Sequence, residues 1–378
     1  MKESPARPVS PPSPLLRYLT LAYFALIVYA SLHPFSGWRD KGIPFFAFLT
    51  NTGWPRWWTG FDFGINIAAY LPLGFLCALW FRERLGRWFG ALAAVAFCVL
   101  LSMSMEATQT LLPTRVSSNL DFWTNALGGL IGAVLALFFG AWLFEKTIQW
   151  QRRLIAPLPH VEFGLTLLGL WLLAQLSPEI LLFGTGDVQQ LFSASPLLQD
   201  AEADLSSAAA SPLIPFAAHR FFMLETAITA LNTIAIGLFV RTLLSERIGA
   251  KTLFPVMFFF FLAALLIRTL AAAVLVGPAE SLAWLTPGAI CGLIAGLLPL
   301  FALLRLSVPW SLAIAGLALV LATALVNLIP ENPYSAAALI TWRQGHFLNF
   351  NGLTRFVARF WPFFALPCFA LLCWRRRS

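Results

Sequence analysis

The chain has 378 residues, of which 59% are hydrophobic and 11% are charged, and its mean hydropathy is +0.77. A soluble protein of this size could not bury so much apolar surface, so these values exclude a water-soluble fold and indicate an integral membrane protein. The net charge of +8 could indicate a nucleic-acid-binding protein, but the basic residues follow a membrane topology, so no nucleic-acid partner is expected.

Ten segments are long and apolar enough to cross a bilayer, which requires about 20 helical residues. In chain order, segments 1 to 10 cover approximately residues 16–33, 62–81, 89–111, 121–144, 161–183, 220–243, 252–276, 285–305, 308–329 and 356–374. The sequence therefore predicts an all-α, polytopic protein of about ten transmembrane helices in the lipid bilayer.

The basic residues predict the orientation of these helices. With the N-terminus inside, 16 of the 25 Lys and Arg residues fall in cytoplasmic segments and eight fall outside. Because cytoplasmic loops are enriched in Lys and Arg, both termini are predicted to be cytoplasmic. Residues 1–14, rich in Pro and Ser, are predicted to form a disordered tail, and residues 184–219 a mobile outer linker.

Polar side chains collect where segments 2, 3 and 4 reach the outer leaflet. An ionisable side chain at membrane depth costs roughly 2.5 to 3.5 kcal/mol, so it persists only where partners or water satisfy it. Within each segment these residues are three or four positions apart and share a helix face. The predicted functional cluster comprises Asp62, Asn66, Tyr70, Glu106, Gln109, Arg115, Ser118, Asp121 and Asn125.

Two expectations concern the charges of this cluster. Arg115 lies on the short connection between segments 3 and 4, so it is predicted to lie within direct or water-bridged reach of Glu106 or Asp121. For Asp121 there is a simpler alternative, because a carboxylate at a helix start caps free N–H groups and meets the positive end of the helix dipole.

Small residues dominate one face of segment 4. Gly128, Gly132, Ala136 and Gly140 recur every fourth residue, and Gly129 lies beside them. Such a ridge lets two helices approach closely in lipid, so these glycines are interpreted as helix-packing residues.

The cysteines and histidines predict no metal site. The five cysteines lie in apolar stretches without a C-x-x-C pair, and the four histidines lack metal-ligand spacing. Neither a disulfide nor a bound metal or other cofactor is expected.

Short motifs follow one another along segments 1 to 4. They are Tyr29-Ala30-Ser31-Leu32-His33-Pro34-Phe35, then Asn66 with Leu71-Pro72-Leu73-Gly74-Phe75, then Glu106-Ala107-Thr108-Gln109, then Arg115-Val116-Ser117-Ser118, Asp121 and Asn125-Ala126-Leu127-Gly128-Gly129. This series, over about residues 20–145, resembles the VanZ-like family of bacterial membrane proteins. The resemblance implies a four-helix unit in the bacterial cytoplasmic (inner) membrane. It also implies a link to lowered sensitivity to glycopeptide antibiotics such as teicoplanin, without an established reaction.

Segments 5 to 8 resemble segments 1 to 4. Asn66, Glu83 and Leu120 are echoed by Asn232, Glu246 and Leu282, at offsets of 166, 163 and 162. We interpret residues 155–306 as a degenerate parallel repeat of a unit at 15–145, followed by two extra helices and a basic tail at 307–378. Chance similarity between leucine-rich helices is the alternative. The repeat places Arg268 at the position of Glu106, so the second half is predicted to have lost the polar site.

Three classes of function remain open. The first is a non-enzymatic protein that binds or shields an envelope component, such as a lipid-linked wall precursor or a glycopeptide, at the outer cluster. The second is a transporter or flippase of such a precursor, for which broken helices and intramembrane charge would be expected. The third is an intramembrane enzyme with Glu106 as general base. The first is favoured, because the charge lies only at the outer side and no G-x-S-x-G motif or Walker loop is present.

Overall fold

The computed structural model describes residues 14–33, 35–50, 60–177, 180–188, 214–328 and 348–374. Within these ranges the chain is helical. The α-helices are α1 (Pro14–Leu32), α2 (Ala47–Thr50), α3 (Gly60–Leu85), α4 (Arg87–Gln109), α5 (Asn119–Leu154), α6 (Val161–Ala174), α7 (Ile214–Leu243), α8 (Ala250–Leu275), α9 (Pro287–Leu303), α10 (Val308–Val326) and α11 (Leu348–Trp374). Residues 1–13, most of the predicted N-terminal tail, lie outside the described residues.

Each of the ten predicted segments contains one helix. Eight of the described helices are long and apolar enough to cross a membrane, and α6 and α9 are apolar but shorter. The prediction of an all-α, polytopic membrane protein is therefore confirmed, and eight of the ten predicted spans have a full-length helix among the described residues.

Helix α6 ends well before the predicted limit at residue 183. It has 14 residues, which at about 1.5 Å per residue is roughly 21 Å and less than the hydrocarbon core. After Ala174 the backbone makes tight turns, in which the Ser177 N–H donates to the Ala174 carbonyl. Pro178 follows in the sequence, and a proline disfavours helical backbone in the residue before it. The described residues that follow α6 in this segment, 175–177 and 180–183, are therefore not helical although the segment is apolar.

Residues 180–188 are non-helical, and Leu182 to Gly186 are buried. This corrects the prediction of a mobile linker for its first residues; residues 189–213 lie outside the description. The Gly186 N–H donates to the carbonyl of Ala358 in α11. That carbonyl is available because Pro362, four residues later, has no N–H to donate to it. The Asn327 side chain accepts from the Val188 N–H and donates to the Gly186 carbonyl, at 2.9 and 2.8 Å.

Gly186 is required by both conformation and space. Its φ is +89°, and an added Cβ would lie 2.7 Å from the Thr323 methyl group and 3.1 Å from Pro362. We expect Gly186→Ala to lower the thermal midpoint in detergent by several degrees, since about 1 to 3 kcal/mol is typical of such strain. Gly169→Ala is the matched control, because no atom lies within 4 Å of its added Cβ. Equal thermal midpoints for the two variants would show that the non-helical segment around Gly186 adjusts to the added methyl group without loss of stability.

The chain divides into two compact units, Met1–Gln151 and Arg152–Ser378. In the first unit, α3 packs against α1 and α4. A single residue, Gly86 with φ +80°, separates α3 from α4, and its N–H donates to the Arg82 carbonyl. Left-handed backbone of this kind is typical of glycine at a helix end.

In the second unit, α7 is the central helix and packs closely against α9 and α10. Helix α11 packs against α6 and α10, so the last two helices belong to this unit. Trp361 of α11 is buried and donates its indole N–H to the Leu167 carbonyl of α6 at 2.7 Å.

The glycines of α5 lie against the backbone of α3. An added Cβ would stand 2.4 Å from the Ile67 carbonyl oxygen at Gly128 and 2.0 Å from the Leu71 carbonyl oxygen at Gly132. At Gly129 it would meet the Cys98 side chain at 2.5 Å, and at Gly140 the terminal methyl of Leu79 at 2.6 Å. Backbone contact of this kind is what a small-residue ridge permits in lipid.

Candidate functional site

Glu106 lies in the last turn of α4, and its side chain is 2% exposed. One carboxylate oxygen, Oε2, accepts the backbone N–H of Ser118 at 2.8 Å. Ser118 directly precedes α5, and its hydroxyl accepts the Asp121 N–H at 3.4 Å, so Ser118 is the N-cap. The carboxylate therefore stabilises the N-terminus of α5 from a neighbouring helix, where the helix dipole is positive.

Asp121 does not cap its own helix through Ser118. In a capping box the acidic residue at the third helical position would accept the N-cap N–H, but Glu106 occupies that N–H. The Asp121 carboxylate instead accepts the amide of Asn66, from α3, at 2.8 Å. This cross-helix contact ties α5 to α3, while the place of Asp121 in the first turn of α5 also agrees with the helix-dipole alternative.

Arg115 binds main-chain carbonyls. Its Nη2 atom donates to the carbonyls of Ala30 and His33, at the end of α1, at 2.7 and 3.3 Å. The sequence predicts reach to a carboxylate, and both Glu106 and Asp121 do act on it electrostatically. Burial lowers the pKa of the guanidinium, and the two carboxylates oppose that shift. An arginine remains charged at neutral pH under such conditions.

Further donors fix the chain around Arg115. The Gln109 amide donates to the Ser31 carbonyl at 2.9 Å. The Lys41 ammonium donates to the carbonyls of Leu112 and Arg115, at 2.7 and 3.1 Å. Carbonyls at the end of a helix lack intrahelical partners, and lipid has no donors for them. These side chains supply the missing hydrogen bonds.

One turn inward from Glu106, Ser102 is buried and accepts the Asn125 amide at 3.1 Å. The Tyr70 side chain is 2% exposed, and its hydroxyl has no hydrogen-bond partner among the described residues. The side chains of Ser102 and Glu106 lie close enough to the Tyr70 hydroxyl to interact with it electrostatically. The sequence reasoning missed Ser102, although its spacing of four from Glu106 places it on the same face.

The structure brings most of the predicted cluster to one end of the first unit. Direct hydrogen bonds join Glu106 to Ser118, Ser118 to Asp121, and Asp121 to Asn66. Asn125 and Tyr70 flank Ser102 one turn deeper, while Gln109 and Arg115 face the end of α1. The side chain of Asp62 lies outside the described residues. Within the described part there is no group of three or more metal-ligating side chains.

The pKa of His33 depends on the charge of Arg115. Burial, and after it the guanidinium, lower the pKa of the imidazole below its ordinary value. We expect NMR titration to show a low pKa for His33 that rises in Arg115→Ala and is unchanged in Arg84→Ala. An unfolded chain would bind this proton at higher pH, so His33 should reduce stability as the pH falls through its unfolded pKa. A His33 pKa unaffected by Arg115→Ala would contradict this geometry.

Residues 16–140 match the family model described as VanZ/LLP1. This segment is VanZ-like. The match confirms the resemblance found in the sequence motifs and contains every predicted site residue; it ends within α5, so α6 to α11 lie outside it. No curated protein and no solved structure matches the chain.

The second unit also contains buried polar groups. Arg268 of α8 is buried and donates to the carbonyls of Ser177 and Ile180, just beyond α6. Arg115 of the VanZ-like segment serves the end of α1 in the same way. Glu225 of α7 is also buried. An acid inside an apolar segment is a usable sequence signal, and at Glu225 it was missed.

Proposed function

We propose that the protein binds or shields a component of the bacterial cell envelope at the end of the VanZ-like segment that contains Glu106. By doing so it lowers sensitivity to glycopeptide antibiotics such as teicoplanin. A lipid-linked wall precursor and the glycopeptide itself are the two ligand classes that fit. The observation that supports this proposal is the buried hydrogen-bond network of Glu106, Ser118, Asp121 and Asn66 at that end.

The energetics of burial support a site rather than a scaffold. Charged groups taken out of water are costly even when paired, and an apolar core of the same volume is often at least as stable. Three helices nevertheless contribute polar side chains at one level of the VanZ-like segment. Polar groups kept at such a cost in a membrane are by default functional.

The distribution of charge favours binding over passage. In the described part of the VanZ-like segment, Glu106, Arg115 and Asp121 lie at one end, and Arg17, Arg82, Glu83, Arg84 and Arg87 lie at the other. The helix interiors between the two ends contain no charged residue among those described. A polar ligand could therefore dock at the Glu106 end without a charged path across the bilayer.

The test compares a susceptible host that expresses wild type, Glu106→Gln, or the control Glu83→Gln, an identical change at the other end of the unit. At equal membrane levels, we expect wild type and Glu83→Gln to raise the teicoplanin inhibitory concentration and to change binding of a fluorescent glycopeptide to cells. Glu106→Gln should lose both effects. Full activity of Glu106→Gln and of Arg115→Ala would sink the proposed site.

A transporter or flippase of a lipid-linked precursor is the second candidate. One observation favours it: α6 is short and is followed by a buried, non-helical segment, a feature of transporter sites. An assay of precursor flipping in proteoliposomes distinguishes the two candidates. An intramembrane enzyme with Glu106 as general base is less favoured, because the carboxylate is 2% exposed and already accepts a backbone N–H.

We further propose that the protein resides in the cytoplasmic (inner) membrane with both termini in the cytoplasm. The asymmetry of 16 to eight basic residues supports this orientation. In it, the Glu106 end of the VanZ-like segment faces the periplasm, where a wall precursor or a glycopeptide would be met. An active alkaline phosphatase fused after Ser378 would rule the orientation out.

A further inference from the structure

The second unit contains a buried acid whose charge no described residue balances. Glu225 lies in α7, 4% exposed, within a helix long and apolar enough to span the membrane. Among the described residues its hydrogen-bond partner is the hydroxyl of Thr286, which donates to Oε1 at 2.7 Å. Burial and this hydroxyl are the influences that act on the carboxyl, and no charged side chain of the described part is among them.

None of the charged side chains described in the surrounding elements is among the influences on the Glu225 carboxyl. Arg268 of α8 donates to the carbonyls beyond α6, and Arg220, on α7 itself, is exposed. The carbonyl of Asp187, in the non-helical segment, accepts from Arg359 of α11. The described residues of α9 that face Glu225, Thr286 and Gly288, are uncharged.

Helix α9 can offset only part of the negative charge. Its N-terminus faces Glu225, and an aligned helix dipole there is equivalent to roughly half a positive charge. Pro287 at the first helical position offers no N–H, and the Thr286 hydroxyl already accepts the Ala289 N–H at 3.0 Å. A carboxylate with an uncompensated charge is strongly unfavourable at membrane depth, so the position calls for one further positive charge.

The neighbours of this carboxylate offer further oxygens. Gly288 lies so close to Glu225 that an added Cβ would be 2.2 Å from Oε2. The Gly288 carbonyl accepts the hydroxyl of Thr226, the residue after Glu225, in a long contact of 3.3 Å. Hard cations prefer carboxylate, hydroxyl and carbonyl oxygens of this kind. The described part has no cluster of three metal-ligating side chains, which favours a single charge over a divalent ion.

Independent observations show unmet polar groups in the same part of the unit. One turn inward from Glu225, the Thr229 hydroxyl makes a 3.4 Å contact with the carbonyl of Leu182 in the non-helical segment. Thr185 of that segment and Asn232 of α7 are fully buried, and each has a side-chain oxygen without a hydrogen-bond partner among the described residues. Buried oxygens of this kind are commonly satisfied by an ordered water or a bound ion.

We propose that Glu225, Thr226, Thr286 and Gly288 form a binding site for a monovalent cation, either Na⁺ or a proton. The site is separate from the Glu106 cluster and does not depend on the function proposed for it. An occupant neutralises Glu225 and holds α7 against the start of α9. Because Thr229, one turn along α7 from Glu225, contacts the Leu182 carbonyl, occupancy also stabilises the buried non-helical segment.

The test is thermal unfolding of the full-length protein in detergent. At pH 8 and constant ionic strength, replacing choline chloride with NaCl should raise the midpoint by about 3 °C if the occupant is Na⁺, as expected for an ion at roughly ten times its Kd. If the occupant is a proton, the midpoint measured in choline chloride should instead fall as the pH is raised from 5 to 9, because deprotonation leaves a buried charge. Either response should be lost in Glu225→Gln and kept in Glu246→Gln, an exposed acid of the same unit.

The wild type is decisive even if Glu225→Gln does not fold. A wild-type midpoint that responds neither to Na⁺ nor to pH over this range would overturn the assignment. A response that persists unchanged in a folded Glu225→Gln variant would also overturn it, because the cation would then bind elsewhere.

Discussion

Glu106→Ala is expected to lower the free energy of unfolding by about 2 to 3 kcal/mol, whereas Glu106→Gln should cost about 1 kcal/mol or less. The alanine variant leaves the buried Ser118 N–H without an acceptor at the start of α5. The glutamine variant keeps an amide oxygen in nearly the same place, so the N–H remains paired. Denaturant unfolding in detergent, followed by circular dichroism, measures both changes.

The pair of variants separates the fold from the function. If the carboxylate serves only to cap α5, Glu106→Gln should remain stable and also keep its effect on antibiotic sensitivity. If the charge is needed for a ligand, Glu106→Gln should remain stable and lose that effect. Glu83→Ala is the control for removing a carboxylate from the same unit. An equal loss of stability in Glu106→Ala and Glu106→Gln would show that the charge, not the acceptor, holds α5.

Gly132→Ala should be more damaging still, with an expected loss of about 3 kcal/mol or more. An added methyl would stand 2.0 Å from the Leu71 carbonyl oxygen and 2.7 Å from the Phe75 nitrogen, both backbone atoms of α3. Backbone cannot rotate away as a side chain can, so α5 must move away from α3 and lose its packing. Thermal and denaturant unfolding of the purified protein measure the loss.

Gly140→Ala, on the same helix face, is the matched control. Its added methyl would meet the terminal methyl of Leu79 at 2.6 Å, and a leucine side chain can change rotamer. We expect a change within about 1 kcal/mol, since alanine also favours helix over glycine. If Gly132→Ala proved as mild as Gly140→Ala, the close approach of α3 and α5 would have no energetic importance.

Hydropathy alone predicts the positions of the membrane helices, because each helix must satisfy its own backbone in lipid. It does not predict where α6 ends. Residues 175–177 and 180–183 continue the apolar segment but are not helical, and they are held by α7 and α8 through contacts that are distant in sequence. The site shows the same limit. Helix periodicity places Glu106, Asp121 and Asn66 at one level, but the partners of Arg115 are carbonyls, which every residue carries and no sequence pattern marks.

The missed residues have a related explanation. Ser102 is a small hydroxyl within an apolar helix, and its role as acceptor is defined by Asn125 of another helix. Glu225 was missed because its segment is apolar enough to span the membrane even with the acid included. In a membrane protein a single charged residue within a span is therefore more informative than the composition of the span.

The turn at Gly86 has a consequence for how the protein is made. Helix α3 ends at Leu85 and α4 begins at Arg87, so a single residue holds the two helices side by side. Contacts between neighbours that are this close in the sequence form early in folding. We therefore expect α3 and α4 to pair as a hairpin, with Arg82, Arg84 and Arg87 at its closed end, before α5 packs against α3.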